Sequence, residues 1–343
     1  MIVAPAIVGY YEPWYVQIIK AIIIFAVGFQ LVPLVLIAER KILGRFQQRY
    51  GPNRVGPFGL LQPIADIVKL ISKEQSRPRS SIGFLYALAP LLSMMTAVAT
   101  LALIPFGPVV DIFGTKTGLY GIDVGIGPLY AFAFGAIAFY GIMLGGWASG
   151  SKYSFLGAMR GATQLISYEA ALGLSLIGVV FTAGTLSLTG IVEAQQGMWY
   201  IVPQFVGFLV FLVAGFAETN RAPFDLVEAD AELVGGYNTE YGGARFASYF
   251  FAEYLNVIVI SGIATTVFLG GWLLPFGIHP PHWVDPFVVL FKMGLFVLFF
   301  IWVRATLPRL RYDQLMSLGW KILLPLATLN ALVTAIIVVA TNS

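Results

Sequence analysis

The chain has no cysteine and only two histidines in 343 residues. Without a thiol there is no disulfide, no thiolate-held metal, no iron–sulfur cluster and no cysteine nucleophile. His279 and His282 flank two prolines, and with Asp285 they faintly resemble a ligand set. The prolines make a plain turn the better reading. Charge is equally scarce: Asp, Glu, Lys and Arg make up 11% of the residues, against roughly 25% in soluble domains. A net charge of +3 is too thin to track a phosphate backbone, which excludes a nucleic-acid binder. The phosphate-binding GxxxxGK[ST] and dinucleotide-binding GxGxxG patterns are also missing.

What the chain does have is apolar residues, 58% of the total, with aromatics at 15% and a mean hydropathy of +0.84. Lipid has to take the place of the missing polar surface, so the chain reads as an all-α polytopic membrane protein forming one membrane domain over 1–343. A bilayer core needs about 20 mainly apolar helical residues. Eight stretches qualify, near 16–38, 84–104, 129–147, 163–181, 201–217, 254–274, 286–303 and 322–340. Ten-residue segments of period two, the mark of a membrane barrel, are absent. Residues 1–14 carry no basic n-region, so no cleavable signal is expected.

Eight spans put both termini on one side and divide the connections into two sets. The set 39–83, 148–162, 218–253 and 304–321 holds 17 of the 20 Lys and Arg; only Lys20, Lys116 and Lys292 lie elsewhere. Basic loops stay cytoplasmic, so these are inner loops and the termini are outside. Lys20 and Lys292, near outer span ends, are expected to snorkel to the interface. The outer connections 105–128 and 275–286 read as turns.

Two inner loops are unusually long. In the first, Gly51-Pro52 and Gly56-Pro57 are turn chemistry. Beyond them Leu60, Ile64, Ile67, Val68 and Ile71 recur at helical spacing with Asp66, Lys69 and Lys73 on another face. That pattern predicts an amphipathic helix over about 60–73, lying in the membrane interface beside the bundle. Arg40 and Lys41 need no function as cations at a cytoplasmic helix end. Arg49 and Arg54, held in a rigid turn, are candidates for facing a ligand, with plain surface exposure as the alternative.

The other long loop runs against the basic bias. From Glu218 to Glu253 it holds seven of the 17 acids (Glu218, Asp225, Glu228, Asp230, Glu232, Glu240 and Glu253), opposed only by Arg221 and Arg245. Phe224, Leu226, Val227, Leu233, Val234, Tyr237 and Tyr241 are interleaved with them. A solvated loop does not need that apolar content, so part of the segment should fold back into protein, where crowded carboxylates cannot all stay ionised. Proton handling and a docking surface for a basic partner both remain open. Glu169 stands alone inside the fourth span, with Gly173 one turn on to admit a neighbouring helix. An intramembrane carboxylate faces the bundle interior or a water-filled cavity and is functional by default; a protonated, hydrogen-bonded structural Glu is the alternative.

Several motifs are long enough to carry a resemblance. Ala38-Glu39-Arg40-Lys41, the run Gln48 to Pro57, Gly59 to Asp66, the run Glu218 to Glu228, Asn238-Thr239-Glu240-Tyr241, and Arg304 to Arg309 with Arg311-Tyr312-Asp313 resemble the quinone-site membrane subunit of respiratory complex I. In bacteria this is the H subunit of NADH-quinone oxidoreductase, in mitochondria NADH dehydrogenase subunit 1. The likeness runs nearly end to end. It implies a subunit without a redox centre of its own and with no metal, in agreement with the missing cysteines. Such a subunit clasps the peripheral arm through its inner loops, walls the chamber where quinone, its substrate, is reduced, and works among other membrane and peripheral subunits. It would sit in an energy-transducing membrane, a bacterial plasma membrane or an organelle inner membrane. Glu39, Glu169, Glu218, Glu228, Asp230, Glu232 and Glu253 match the family's acidic trail toward its proton-pumping subunits, with Asp225 beside them in the same loop. Asp230 stands where a Glu is usual, and the third span lacks the carboxylate that some relatives carry. Quinone would enter between the first span, the interfacial helix and a neighbouring span, with Arg40, Arg49 and Asp66 shaping its passage.

Two other readings are compatible with parts of this pattern. A homologous complex fed by ferredoxin or another reduced carrier would use the same subunit. A stand-alone secondary transporter would also use an intramembrane Glu, but it predicts internal repeats and a site near the midplane. No half-to-half similarity is evident, and the polar residues cluster at the inner surface instead.

Overall fold

The computed structural model describes residues 12–112, 114–228, 230–275 and 281–342. Helix α1 (Trp14–Phe46) leads through a turn at Pro57–Gly59 to α2 (Gln62–Ser72) and α3 (Gly83–Leu101). A hairpin of β1 (Val109–Ile112) and β2 (Thr115–Gly118) precedes α4 (Gly127–Ala148) and α5 (Lys152–Ala183). Short α6 (Leu188–Ala194), α7 (Phe205–Glu218) and α8 (Asp230–Leu233) follow. Then come α9 (Gly243–Phe268), α10 (Asp285–Thr306), α11 (Tyr312–Leu318) and α12 (Leu324–Asn342), the last two joined by a π turn. The fold is an all-α polytopic bundle; the four-residue strands of the hairpin are the exception, paired antiparallel with Val109 opposite Gly118.

Among the described residues seven helices are long and apolar enough to cross a membrane, counting Tyr312–Thr341 as one. The fifth expected stretch, 201–217, yields only the 14 residues of α7, about 21 Å at 1.5 Å per residue. The missing length is made up by turns over 200–204. There Gln204 leaves the helical path: it accepts from Asn330 Nδ2 (2.9 Å) and donates to Thr334 Oγ1 (2.9 Å) on α12. Other helices run past their expected ends. Glu39, Arg40 and Lys41 lie within α1, and α5 takes in most of 148–162, so the inner connections are shorter than the apolar runs imply. Helix α5 stops where Gly184, at φ +68°, takes the left-handed conformation that glycine adopts without strain and donates to Val180 O at 2.8 Å.

Helix α9 is the hub. In its span 78% of residues are buried, against 17% in that of α1, so α9 is ringed by protein while α1 keeps an apolar outer face. Its small polar residues need no distant partner: Ser261, Thr265 and Thr266 bond the carbonyls four residues back at 2.7, 2.8 and 2.8 Å. Helix α2 forms as its spacing predicts, with Pro63 in the first turn and Ile64, Val68 and Ile71 exposed along one face.

The expectation for Lys292 is overturned. It does not snorkel but is buried, and its ammonium donates to Leu269, Gly271 and Leu273 carbonyls at 2.7, 2.8 and 2.6 Å. These carbonyls belong to the C-cap of α9 and the turn that follows it. Lys20 pairs with Glu12 at 2.9 Å. His282 Nδ1 lies 3.2 Å from Asp285 Oδ2, while His279 and Met1 lie outside the described residues.

Candidate functional site

The end of the bundle that carries the basic loops is where the acids gather. The segment 219–242 folds back against α5, as its apolar content requires. Phe224, Leu226, Val227, Leu233, Tyr237 and Tyr241 are buried, and only Val234 of that set is exposed. Two glycines on α5 admit it: a Cβ on Gly157 would lie 2.8 Å from Gly236 Cα, and one on Gly161 would lie 2.8 Å from Val227 Cγ2. Buried Gln164 pins the fold-back by donating to Ala217 and Phe224 carbonyls at 2.8 Å each.

This packing drives Arg221 into the bundle. Its side chain is 7% exposed and sits between two carboxylates, with NH1 3.3 Å from Glu39 Oε1 of α1 and Nε 2.7 Å from Glu253 Oε1 of α9. The guanidinium stacks 4.1 Å from the Tyr254 ring centroid. Burial works against its charge, but Glu253 and Glu39 outweigh that and hold its pKa above the ordinary arginine value. Arg304 of α10 pairs with Glu39 from the other side. Two arginines and two carboxylates from α1, α9, α10 and the acidic segment thus form one network, with Glu39 and Arg221 buried at its centre and Arg304 at its exposed edge.

Glu228 lines the same small space as Glu253. It accepts from Asn238 Nδ2 at 3.0 Å. Burial, reinforced by the neighbouring Glu253 and Asp225, pushes it up to about 8, against the pull of Asn238 and Arg221. Around it Tyr237 and Tyr249 meet edge to face at 4.9 Å, and Tyr241 stacks on Tyr86 at 4.2 Å. Tyr86 donates to Glu240 O at 2.6 Å.

Three small cavities run through this region. One of about 20 Å³ is lined by Glu39, Arg221, Tyr254 and Arg304. A second, of about 30 Å³, is lined by Ser93, Glu228, Tyr237, Glu253 and Asn256. A third, of about 60 Å³, is lined by Glu169, Glu218 and Asn256 with Thr96 and Thr100. Each exceeds the roughly 10–15 Å³ that a water needs. Carboxylates and water-sized spaces alternate from α1 to the middle of α5, an arrangement suited to moving protons.

A family model described as NADH dehydrogenase matches residues 19–335, which span every group in this network. The chain belongs to the NADH dehydrogenase family. It is 51% identical over 320 residues to the first of the NADH-quinone oxidoreductase H subunits of Geobacter metallireducens, covering 93% of this chain and 95% of that protein. Its identity to the H subunit of the Rhodospirillum rubrum NADH-quinone oxidoreductase is 47% over 329 residues, 95% of either chain. With the corresponding protein of Protochlamydia amoebophila it is 51% over 297 residues, 87% of this chain and 90% of the other.

The family's expected site residues divide into those the fold unites and those it does not. Glu39 and Glu253 meet through Arg221, Glu228 joins them across the second cavity, and Glu169 shares the third with Glu218. Asp225 neighbours Glu228 closely enough to raise the cost of ionising it. Glu232 stands apart, exposed and paired with Arg160, which pulls it below the usual carboxylate range. The side chain of Asp230 lies outside the described residues. Arg40 meets Asp66 at 2.5 Å, tying α1 to α2, while Arg49 is exposed and turns to Gln47 at 2.7 Å. Gly173 faces Phe132 of α4 in ordinary contact rather than a close helix crossing. Among the described residues no group of three His, Asp or Glu could hold a metal.

Sequence reasoning missed the cations that organise the acids. Arg221 was visible as one of two bases among seven acids, and that imbalance was the available signal. Arg304 stood in a family motif that carried no hint of its pairing with Glu39, and Gln164 gave no signal, because their partners are brought in from distant parts of the chain.

Proposed function

We propose that this chain is the membrane subunit of a proton-translocating NADH:quinone oxidoreductase in an energy-transducing membrane, walling the quinone chamber and starting the acidic path that couples quinone reduction to pumping. The relatives' names supply the complex and its quinone substrate; the buried Glu39–Arg221–Glu253 network is the observation that supports a coupling role. A structural ion pair needs one acid for one base. Here Arg221 and Arg304 are matched by Glu39 and Glu253, yet three further acids, Glu228, Glu218 and Glu169, line the water-sized cavities beyond them.

In this reading Phe205–Glu218 with its preceding turns makes an eighth crossing, both termini lie outside, and 39–83, 148–162, 218–253 and 304–321 meet the peripheral arm. The exposed apolar face of α2 lies in the membrane interface, and quinone enters from lipid between α1, α2 and a neighbouring helix. The Arg40–Asp66 pair holds the mouth, and Arg49, exposed on the adjoining turn, faces the arm or the quinone. Reduction of quinone to quinol consumes two protons and two electrons. Taking those protons from the chamber changes the charge that Glu228 and the Arg221 network experience, and the imbalance passes to Glu218 and Glu169.

The test is a paired assay on assembled complex. Glu228→Gln and Glu169→Gln should each slow NADH:quinone turnover and pumping while the arm's reduction of an artificial acceptor is unchanged. Loss of both activities would instead mean a failure of arm docking, and normal quinone turnover with normal pumping in both variants would refute the coupling role.

A further inference from the structure

The acids of the path fall into two groups. Glu228 and Glu253 line the cavity of about 30 Å³, and Glu169 and Glu218 line the one of about 60 Å³. Two residues line both spaces, Ala138 of α4 and Asn256 of α9, and only Asn256 is polar. It sits three residues after Glu253, on the same face of α9. Among the described residues no protein group hydrogen-bonds its amide. A half-buried primary amide on a central helix ordinarily bonds to protein or to ordered water; this one, without a protein partner, opens on two water-sized spaces. Ser93 gives a second sign of water. Its side chain lines the smaller cavity, is 6% exposed, and its hydroxyl oxygen is sealed from solvent with no partner.

We propose that Asn256 is a positioning residue that holds water in both cavities and thereby joins the two carboxylate groups into one proton path. Its NH2 donates to water on one side and its carbonyl accepts from water on the other. A proton leaving a carboxylic acid of one cavity is taken by a water. That water gives a different proton to its neighbour, and the last water protonates a carboxylate of the other cavity. Each water ends neutral, the acid behind is left ionised, the acid ahead is neutral, and Asn256 takes and gives no net proton. The inference rests on the proton-coupling reading of the site.

Asn256→Val and Asn256→Thr test it, because valine and threonine share a shape and differ in whether they can bond water. In assembled complex, Asn256→Val should lower NADH:quinone turnover at least about tenfold, equivalent to ~1.4 kcal/mol on the barrier, with artificial-acceptor reduction intact. Asn256→Thr should restore most of the rate. Asn256→Leu serves as the apolar member of the pair where Asn256→Val does not assemble. Normal turnover in the apolar variant, or equal losses in the apolar and Thr variants, would overturn the proposal. Glu169→Gln and Glu228→Gln run alongside separate the two levels. If they slow turnover while Asn256→Val does not, this inference alone fails; if they are normal, the coupling reading fails with it.

Discussion

Replacing Arg221 by methionine removes the cation between two buried carboxylates, and the structure says which of them suffers. Glu39 keeps Arg304 as a second partner, so it retains an ion pair. Glu253 loses the guanidinium 2.7 Å away, with its own side chain 17% exposed. Breaking a buried pair by removing one partner costs about 3–5 kcal/mol. A carboxylate has an escape, however: it can take up a proton. For a group with an ordinary value of about 4.3, neutralisation at pH 7 costs about 3.7 kcal/mol at about 1.36 kcal/mol per pH unit. The orphaned charge cannot cost more than its own neutralisation, so the charge part of the Arg221→Met destabilisation is capped near that figure and shrinks by roughly 1.4 kcal/mol for each unit the pH falls.

The assay is the apparent melting temperature of purified, assembled complex between pH 6 and pH 8. Arg221→Met should melt lower than the parent at pH 8 and recover part of the deficit at pH 6. Adding Glu253→Gln should recover it at pH 8 as well, since the amide removes the charge that lost its partner. Arg221→Lys should fall between, because one ammonium cannot fork to both carboxylates. A deficit that does not vary with pH, or that Glu253→Gln leaves unchanged, would show that Arg221 acts through packing on Tyr254 and not through charge.

Glu228, pushed up to about 8 by burial, holds a proton that the unfolded chain releases from the ordinary carboxylate range upward. Stability should therefore fall as pH rises toward 8 and level off above it, and Glu228→Gln, neutral throughout, should abolish that slope in a melting series. Lys292→Met leaves three carbonyls without their donor and should cost at least about 2 kcal/mol; an unchanged melting temperature would refute a clamping role for the ammonium. The cysteine-free chain makes topology directly measurable. In sealed cells a membrane-impermeant thiol reagent should label Asp123→Cys and spare Arg54→Cys, and the reverse pattern would invert the proposed orientation.

The bundle was legible because lipid and charge each leave a one-dimensional record. Long apolar runs mark helices, and the 17-to-3 division of the basic residues is the sequence's proposal for which ends face inward. The amphipathic pattern over 60–73 became α2 at Gln62–Ser72 because its apolar residues recur at helical spacing. The reading failed where helix continuity departs from hydropathy. Polar Glu39 to Arg45 continues α1 because backbone bonding does not stop where the apolar run stops. Apolar Ile201 and Val202 are not helical, because the Gln204 contacts to α12 replace the helix there. Acids announced themselves by their local crowding, whereas their partners did not. Lys292 is the sharpest case: its sequence position near a span end suits snorkelling, and only the fold brings three carbonyls within reach of its ammonium.

The size of the cavities constrains how the site can act. Pockets that bind small organic ligands run to about 300–1,000 Å³, while the spaces beside the acids measure about 20, 30 and 60 Å³. No quinone ring fits in any of them, so in the proposed function the substrate does not travel along the acids and its reduction must be felt from outside. What can pass is water, protons and electrostatic potential. The potential reaches far here because the charges are buried: at an effective dielectric of about 20, unit charges 4 Å apart interact by about 4 kcal/mol, against about 1 kcal/mol in water. Arg221 contacts Glu39 and Glu253 at once, from a segment held on α5 by Gly157, Gly161 and Gln164. Any change in charge that shifts this segment alters both contacts together. A loop carrying its acids in solvent would be screened within about 10 Å at ordinary salt and could not do this, which is a physical reason for the apolar residues threaded between the carboxylates.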